Sequence, residues 1–400
     1  MKPVYVDNNA TTRVDRAVVE TMLPFFTEHF GNASSMHAFG AEVGQALKQA
    51  RQSLQRLVGA EHDHELVFTS GGTEADNTAI VSALETQTGR NEVVTSKVEH
   101  PAILSLCKHL EETKGVKVHY IGVDSRGRFD VDAYKRALGP KTAIASVMWA
   151  NNETGTIFPV ERLATLAHEA GALFHTDAVQ VVGKIPIDVK NTEIDLLSLS
   201  GHKLHGPKGV GALYVRRGVR LRPLVRGGHQ ERGRRAGTEN VPAIVGLGRA
   251  AELSIQHLEE EQTRVRAMRD RLEQGLLKSV DRALLMGDPD ARLPNTSNIA
   301  FEFIEGEAIL LLLNRAGIAA SSGSACTSGS LEPSHVLRAM NVPYTAAHGA
   351  IRFSFSRDNE EADVDRILEA VPGVITNLRS LSPFWQDQKS APVEFNPTYA

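Results

Sequence analysis

The sequence predicts an α/β fold in which helices cover both faces of a mainly parallel or mixed sheet. Short apolar runs alternate with helical patterns from about residue 60 to about residue 215, as they do in sheets of this kind. After residue 240 the pattern changes to one long helical stretch and then to shorter mixed elements. The 400 residues are therefore expected to form a large mixed-sheet domain and a smaller α+β domain.

Strands and helices alternate regularly in the first part of the chain. The strands are predicted at residues 65–69, 116–123, 142–150, 172–177 and 194–199. The helices are predicted at residues 73–84, 101–114, 131–138 and 159–170. Because ligands bind beyond the carboxyl ends of the strands in such sheets, we expect a site at the strand-to-helix and strand-to-loop junctions.

The second part of the chain begins with the long helical stretch at residues 241–279. The elements predicted after it are strands at 298–303 and 351–354, helices at 305–315, 332–340 and 360–371, and a loop at 321–330. The tail at residues 382–400 has no clear period. We expect residues 15–258 to form the large domain, and residues 1–14 together with 259–400 to form the small one.

The composition of the chain argues against a nucleic-acid-binding, membrane, secreted or disulfide-rich protein. The formal net charge of −4 does not favour a nucleic-acid or membrane partner, and no window approaches the roughly 18 apolar residues of a membrane span. The start of the chain shows no secretory signal pattern. The two cysteines, Cys107 and Cys326, are too few for a disulfide framework, so a cytoplasmic location is expected.

The first predicted junction carries the segment TSGGTEA at residues 69–75. Its two glycines allow close approach of the backbone to a ligand, and Thr73 then begins a helix whose unpaired N–H groups favour an anion. A phosphate-binding turn is one interpretation of this pattern. An ordinary helix cap after a tight turn is the other.

The second junction, HTDAVQ at residues 175–180, places Asp177 at the carboxyl end of an apolar strand. A carboxylate there can pair with a protonated ring nitrogen, as in pyridoxal enzymes, where it keeps the pyridine cationic. Gln180 could donate to the phenolic oxygen of the same ring. The alternative is that Asp177 caps the following turn.

The third junction, LSGHKLHGPKG at residues 199–209, places Lys203 just past a buried strand. A lysine in this position suits a covalent bond with an aldehyde cofactor, and Ser200 and His202 could add phosphate contacts. A polar loop is the simpler alternative. His202 and His205 also suggest a metal, but no further ligands follow at a recognisable spacing, so no metal site is predicted.

These junctions, together with longer motifs, resemble the class V aminotransferase-type fold and, within it, the cysteine desulfurases of the nitrogen-fixation (NifS-like) branch. The resemblance extends over nearly the whole chain. The segments that carry it lie at residues 7–12, 69–77, 98–101, 149–155, 175–180, 198–211, 227–240 and 321–329. It implies the pyridoxal-phosphate-dependent transferase fold (aspartate-aminotransferase-like, fold type I) with pyridoxal 5'-phosphate as cofactor.

The resemblance also implies roles for single residues. Lys203 would bind the cofactor covalently, and His100 would stack on its ring and move protons. Asp177 and Gln180 would contact the cofactor ring, and the phosphate would be bound by Gly72, Thr73, Ser200 and His202. Arg352 and Asn152 would contact the substrate carboxylate, and Asn152 would also lie near the phenolic oxygen. Thr238 would reach the phosphate of the neighbouring subunit, which makes a homodimer part of the site. Without the resemblance, its basic glycine-rich segment 227–235 would be a surface loop or, less plausibly, a nucleic-acid patch.

The two cysteines have different surroundings. Cys326 lies in AASSGSACTSGS at residues 319–330, where nearly every residue is small, so an exposed thiol in a mobile loop is expected. A chance thiol in a linker is the alternative. Cys107 has apolar neighbours at helical spacing, which predicts packing in the core.

The implied activity is conversion of L-cysteine to L-alanine, with transfer of the sulfur to Cys326 as a persulfide. The resemblance implies an iron–sulfur scaffold protein of the nitrogenase system as the sulfur acceptor, with housekeeping iron–sulfur assembly and tRNA thiolation as alternatives. The competing predictions are a selenocysteine lyase, a general aminotransferase of the same fold, and a scaffold protein of iron–sulfur assembly without catalytic activity. The set Lys203, Asp177, His100 and Cys326 favours an enzyme.

Overall fold

A seven-stranded mixed sheet organises the larger part of the molecule, and a three-stranded sheet organises the rest. The computed structural model describes residues 2–322 and 333–387. The strands are β1 (Val4–Tyr5), β2 (Leu66–Thr69), β3 (Glu92–Ser96), β4 (Lys117–Ile121), β5 (Thr142–Ser146), β6 (Leu173–Asp177), β7 (Leu196–Ser200), β8 (Gly211–Val215), β9 (Ala283–Met286), β10 (Thr296–Phe301), β11 (Ile318–Ala319) and β12 (Ala350–Ser354).

Helices cover both sheets. They are α1 (Arg16–Met22), α2 (Pro24–Thr27), α3 (Ala38–Val58), α4 (Gly72–Thr86), α5 (Pro101–Lys114), α6 (Val131–Ala137), α7 (Val160–Glu169), α8 (Val241–Gln256), α9 (Leu258–Glu260), α10 (Arg266–Ser279), α11 (Gly306–Arg315), α12 (His335–Ala339), α13 (Tyr344–Ala347), α14 (Glu361–Leu381) and α15 (Pro383–Asp387). A π-helical turn, Glu261–Val265, joins α9 to α10.

The large sheet has the order β2-β8-β7-β6-β5-β3-β4. Strands β7, β6, β5, β3 and β4 are parallel, whereas β8 is antiparallel to both of its neighbours. Strand β2 therefore has the same direction as the parallel set. As a result, the carboxyl ends of β2, β3, β5, β6 and β7 all lie at one edge of the sheet, where the α/β rule places ligands.

The predicted α/β class and most of the predicted elements are confirmed, and the differences have local reasons. Strands β3 and β8 and the long helix α3 were not predicted. Helix α14 continues through Pro372 to Leu381, although the prediction stopped before the proline. A proline inside a helix removes one backbone hydrogen bond, but here Val371 and Ile375 on either side are buried in the core, and this packing outweighs the loss.

The predicted continuous helix 241–279 is interrupted. Helix α8 ends at Gln256, and the chain then passes through α9 and the π-helical turn before α10 begins. Helix α8 packs on α3 so closely that a Cβ at Gly248 would be 2.5 Å from the Ala50 Cα atom. The absence of a side chain at Gly248 permits this contact.

Apolar side chains form separate cores around the two sheets. Two clusters line the faces of the large sheet. A third cluster combines residues of β1, β10, β12, α10, α11 and α14. The N-terminal segment connects these parts, because the Ser354 backbone N–H donates to the Val6 oxygen and the Thr12 backbone N–H donates to the His202 oxygen. The domain limits 15–258 and 259–400 stay a prediction.

Candidate active site

Loops at the carboxyl edge of the large sheet surround one cavity of about 260 Å³. A water molecule occupies about 30 Å³ of liquid, so this space admits a small organic ligand. Ten of the sequence-predicted residues line it: Gly72, Thr73, His100, Asn152, Asp177, Gln180, Ser200, His202, Lys203 and Arg352. The strand order thus brings together residues that lie up to 280 positions apart in the chain.

Lys203 is at the end of a short turn of helix that follows β7. Its Nζ donates to the backbone oxygen of Ala10 at 2.7 Å and also to that of Asn9. Burial, together with the positive charges of Lys184 and Arg352, lowers the pKa of Lys203 to about 7. At neutral pH, an amine with this pKa is uncharged in a large fraction of the molecules. The uncharged amine is the form that attacks an aldehyde.

Asp177 ends β6 and is buried. One oxygen, Oδ1, accepts from the backbone N–H of Val179 at 2.9 Å, so the predicted alternative of a local cap describes part of its role. Asp177 also lines the cavity, where its carboxyl group faces the space shared with Lys203. Burial raises the pKa of Asp177, and the nearby His100 and Lys203 counteract that rise.

The turn before α4 is open to a ligand. Gly71 is the N-cap residue and has no side chain to cap the helix, so the capping interpretation of Thr73 is not what the structure shows. A Cβ at Gly72 would lie 2.8 Å from Val179 Cγ2, which is closer than such atoms approach. The backbone at Gly72 therefore packs against the turn that carries Gln180, and the first N–H groups of the 15-residue helix are free of a side-chain cap.

His100 precedes α5, and the backbone N–H of Ala102, the second residue of that helix, donates to the His100 Nδ1 atom at 3.1 Å. Burial is the main cause of the lowered pKa of His100. In the neutral ring, Nδ1 is thus the acceptor and Nε2 carries the proton. His202 is also kept neutral, since burial lowers its pKa to about 4.

Arg352 is in the central part of β12 and is 2% exposed, yet it lines the cavity. Its Nη1 donates to the backbone oxygen of Asn152 at 2.9 Å, and its Nη2 donates to Asp7 Oδ1 at 2.7 Å. These contacts hold the guanidinium at the junction of the two cores. A carboxylate ligand would find a cation there that is already oriented.

One predicted residue of the described part of the chain does not line this cavity. Thr238 is exposed and lies in a separate hollow beside Thr69 and Ser70. Cys326 and most of its small-residue loop lie outside the described residues. Cys107, by contrast, is fully buried on α5, and burial raises its pKa to about 12, which confirms its predicted place in the core.

The cavity also contains residues to which sequence reasoning gave no role. Asn9 and Ala10 supply the carbonyls that hold Lys203, although their segment had been recognised as a motif. His335 lines the cavity and contacts the Glu99 backbone oxygen at 2.9 Å. Asp76 lines it from the second turn of α4, where a polar residue inside an apolar helix pattern was the available signal.

The residues present fit pyridoxal phosphate. Lys203 supplies an amine for its aldehyde, Asp177 a buried carboxylate for its ring nitrogen, and the uncapped start of α4 a set of N–H donors for its phosphate. The residues that the structure describes contain no group of three or more potential metal ligands. Nor do they include a helix with the length and apolar character needed to cross a membrane.

A family model, relatives of known function and a solved structure all match this chain. The family model described as "Aminotransferase class-V" matches residues 4–367. A cysteine desulfurase of Gluconacetobacter diazotrophicus is 75% identical over 400 residues, and the cysteine desulfurase NifS of Azotobacter vinelandii is 62% identical over 404 aligned positions, each covering 100% of both chains.

A solved structure described as a NifS-like protein has the same fold. It superposes with a TM-score of 0.88 at 39% sequence identity, over 94% of this chain and 100% of that chain. A family model that covers nine-tenths of the sequence, relatives that align from end to end and a shared fold agree with the cavity described above. The chain therefore belongs to the aminotransferase class-V family.

Proposed function

We propose that this protein is a pyridoxal-phosphate-dependent cysteine desulfurase, which converts L-cysteine to L-alanine and transfers the sulfur to Cys326 as a persulfide. The observation that carries this proposal is the single cavity that joins Lys203 to Asp177, Gln180, His100 and Arg352. The similarity of this protein to cysteine desulfurases over the full length of the chain supports L-cysteine as the substrate.

The cofactor is held by groups of three kinds. Lys203 would bind it covalently, Asp177 and Gln180 would contact its ring, and Gly72, Thr73, Ser200 and His202 would bind its phosphate. Bound pyridoxal phosphate supplies an electron sink that stabilises negative charge on the α-carbon of an amino acid. The buried carboxylate of Asp177 would keep the proton on the ring nitrogen that makes this sink effective.

Arg352 and Asn152 would orient the substrate by its carboxylate. Arg352 already has two of its nitrogens engaged, while its Nε has no partner among the residues that the structure describes. A carboxylate that binds this guanidinium would compete with Asp7 for Nη2. Such binding would fix the α-carbon near Lys203. Once the amino group of the substrate has replaced Lys203 on the cofactor, the freed neutral Nζ could take the α-proton.

His100 would act at the Nε2 atom, because Nδ1 is occupied by the Ala102 N–H. Its lowered pKa means that the ring is neutral at physiological pH, with its proton on Nε2, from which it can donate a hydrogen bond to the substrate. We propose that His100 takes part in proton transfer during the conversion to alanine through this Nε2–H group.

The Cys326 thiolate would attack the γ-sulfur of the substrate. A sulfur–sulfur bond forms and the bond between the β-carbon and sulfur breaks, while the β-carbon takes up a proton. Overall, one cysteine and one thiol give one alanine and one persulfide, so no external oxidant or reductant is required. The small-residue loop suits this role because the thiol must enter the cavity and then leave it to deliver sulfur.

The test of this assignment is Cys326→Ala with L-cysteine as substrate and no added thiol. Alanine formation is expected to stop, because the sulfur has no acceptor. The matched control is Cys107→Ala, which removes the other, buried cysteine and should retain turnover. Alanine release by Cys326→Ala at the wild-type rate would contradict the role of Cys326.

We further propose a homodimer in which Thr238 completes the phosphate site of the neighbouring subunit. Thr238 is exposed and outside its own chain's cavity, which a role in the partner's site explains. Large apolar side chains are exposed between the end of α1 and the start of α3, as expected of a face covered by a second copy: Leu23, Phe26, Phe30, Met36 and Phe39.

The sulfur would pass to an iron–sulfur scaffold protein, in a system that supplies nitrogenase. The similarity to a relative named NifS supports this choice. Sulfur-35 from labelled cysteine should move from Cys326 to a nitrogen-fixation scaffold faster than to a housekeeping scaffold. A cytoplasmic location belongs to the same proposal, because a thiol that must be free again after each cycle suits a reducing compartment.

A further inference from the structure

A second buried lysine lies behind the active-site cavity. Lys184 is in the turn segment that follows β6, and it is 5% exposed. Its Nζ donates to the backbone oxygen of Gln180 at 3.1 Å and to the side-chain oxygen Oε1 of Gln180 at 3.2 Å. Burying an ammonium group is costly, so its presence here needs a reason.

The Gln180 side chain connects Lys184 to Lys203. Its Nε2 donates to the Asn9 backbone oxygen at 3.0 Å, and the same oxygen accepts from Lys203 Nζ. Lys184 has only donors and the Asn9 carbonyl is only an acceptor, so both neighbours require the same orientation of the amide. The amide N–H₂ is thereby directed to the side of Asn9 and Lys203.

Glu261 is the acidic group whose charge acts on Lys184. It lies on the π-helical turn between α9 and α10, is 7% exposed, and lines a small cavity of about 20 Å³ together with Lys184 and Lys203. Within residues 2–322 and 333–387, no group hydrogen-bonds to its buried Oε2 atom. A cavity of this size holds about one water molecule, which would connect the two charges.

We propose that Lys184, with Glu261 as its counter-charge, is a positioning residue for the active site, which fixes the Gln180 amide as a donor and places a positive charge behind Lys203. This inference rests on the proposed cofactor site. Without Lys184, Oε1 of Gln180 loses its donor, and the Asn9 carbonyl alone holds the amide in this orientation. Gln180 would then present a less firmly oriented donor to the phenolic oxygen of the cofactor.

The electrostatics act in the same direction as the geometry. Burial lowers the pKa of Lys184 to about 8, and Glu261 opposes this change. After burial, Lys184 is the strongest influence that lowers the pKa of Lys203. The other charged or titratable groups around the two lysines come from the N-terminal segment, β6, α5, β12 and the adjoining loops: Asp7, His100, Asp177, His202, His205, His257, Arg352 and Arg357.

The experiment is a pH titration of the visible absorbance of the holoenzyme without substrate, which reports protonation of the nitrogen that Lys203 shares with the cofactor. Lys184→Met should raise the midpoint by about half a pH unit or more, since the cation that disfavours protonation is gone and the donor to the phenolic oxygen is less firmly held. Lys184→Gln should raise it by less, because its amide can still donate to Gln180 Oε1.

The matched control is Lys190→Met, which removes an exposed lysine six positions further along the same segment and should leave the midpoint unchanged. A Lys184→Met midpoint equal to that of the wild type, or an equal shift in the control, would overturn the inference. If Lys184→Met does not fold, Lys184→Gln decides by the same criterion. A wild-type protein with no visible absorbance after loading would instead contradict the proposed cofactor site.

Pairing with Glu261 is tested by thermal unfolding. Glu261→Gln should unfold at a lower temperature than the wild type, because Lys184 is then buried without a counter-charge. The double variant Lys184→Met/Glu261→Gln should unfold at a higher temperature than Glu261→Gln, since both charges are removed together. Additive losses in the double variant would show that the two residues are not paired.

Discussion

Lys203 and Asp177 show how burial prepares individual side chains for chemistry. Burial disfavours the charged form of each side chain, so it lowers the pKa of Lys203 and raises the pKa of Asp177. Their mutual attraction opposes this effect in both cases. A buried lysine in such a position is neutral often enough to react with an aldehyde, while an exposed lysine, with a pKa near 10.4, is almost always charged at neutral pH.

The pH dependence of cofactor capture follows from this shift. Free Lys203 must be neutral to react, so the rate at which the apoenzyme gains visible absorbance should rise with pH and level off above about 7. N-acetyl-lysine, measured in parallel, corrects for ionisation of the cofactor itself. A rate that keeps rising steeply up to about pH 9, as for an ordinary lysine, would show that Lys203 is not perturbed.

At the scale of elements, the start of α4 determines how closely a phosphate can approach the backbone. Gly72 is the first residue of the helix and touches the turn after β6. The same turn carries Gln180, so the phosphate end and the ring end of the proposed cofactor site are built on adjoining pieces of backbone. A small change at Gly72 should therefore affect binding more than folding.

Gly72→Ala is expected to weaken pyridoxal phosphate binding about tenfold or more, because its Cβ would lie 2.8 Å from Val179 Cγ2 and displace the turn. Val179 is β-branched and has little freedom to move aside. The dissociation constant can be measured by fluorescence titration of the apoenzyme. Gly373→Ala is the matched control, since a Cβ there has open space around it and should leave binding unchanged.

Helix α10 is attached to the smaller sheet by a buried ion pair. Arg292 donates through both terminal nitrogens to Glu273, at 2.5 and 2.6 Å, and Ser297 donates to the same carboxylate at 2.7 Å. The side chains of the two partners are 4% and 9% exposed. The pair therefore fixes α10 to the segment that leads into β10.

Arg292→Leu should lower the free energy of unfolding by about 3–5 kcal/mol, because it leaves the Glu273 carboxylate buried without its cation. Urea unfolding of the protein measures this difference. Arg271→Leu on the same helix is the control, since Arg271 pairs with Glu361 at the exposed surface and its removal should change stability little. Equal effects of the two substitutions would contradict the argument from burial.

At the scale of the whole molecule, one chain does not contain the complete proposed site. Thr238 lies on the outside of its own chain, in a hollow with Thr69 and Ser70 that is separate from the cavity. A site shared between subunits makes activity depend on association. It also allows each subunit to be tested separately for what it contributes.

Mixed dimers of Lys203→Ala and Thr238→Ala subunits should regain one intact site. The Thr238→Ala subunit supplies Lys203, and its Lys203→Ala partner supplies Thr238, so cofactor affinity should return at half of the sites. Refolding the two variants together and titrating with pyridoxal phosphate measures this. If Thr238 acts within its own chain, no site recovers its affinity for the cofactor. As a control for the loss of an exposed threonine, Lys203→Ala subunits are combined with Thr165→Ala subunits instead of Thr238→Ala subunits.

The elements that sequence reasoning found are those with a strong local pattern. Apolar runs such as β5, β6 and β7 and amphipathic helices such as α7 were predicted to within a few residues. Strand β8 was missed because it directly follows a glycine-rich motif, and β3 because its apolar run is short. Helix α3 was missed although it is long, since it contains Gly40 and Gly44 and lies outside the recognised alternation.

The sequence by itself determined the α/β class, the three junctions with Lys203, Asp177 and Gly72, and the family resemblance, because these depend on local patterns and on motifs of adjacent residues. The tertiary structure alone placed Asn9 against Lys203 and Arg352 at the cavity, since these contacts cross 194 and 200 positions of chain. It also placed Lys184 behind Gln180 and Glu261 near Lys184. Such positions follow from strand order and helix packing, which no local pattern encodes.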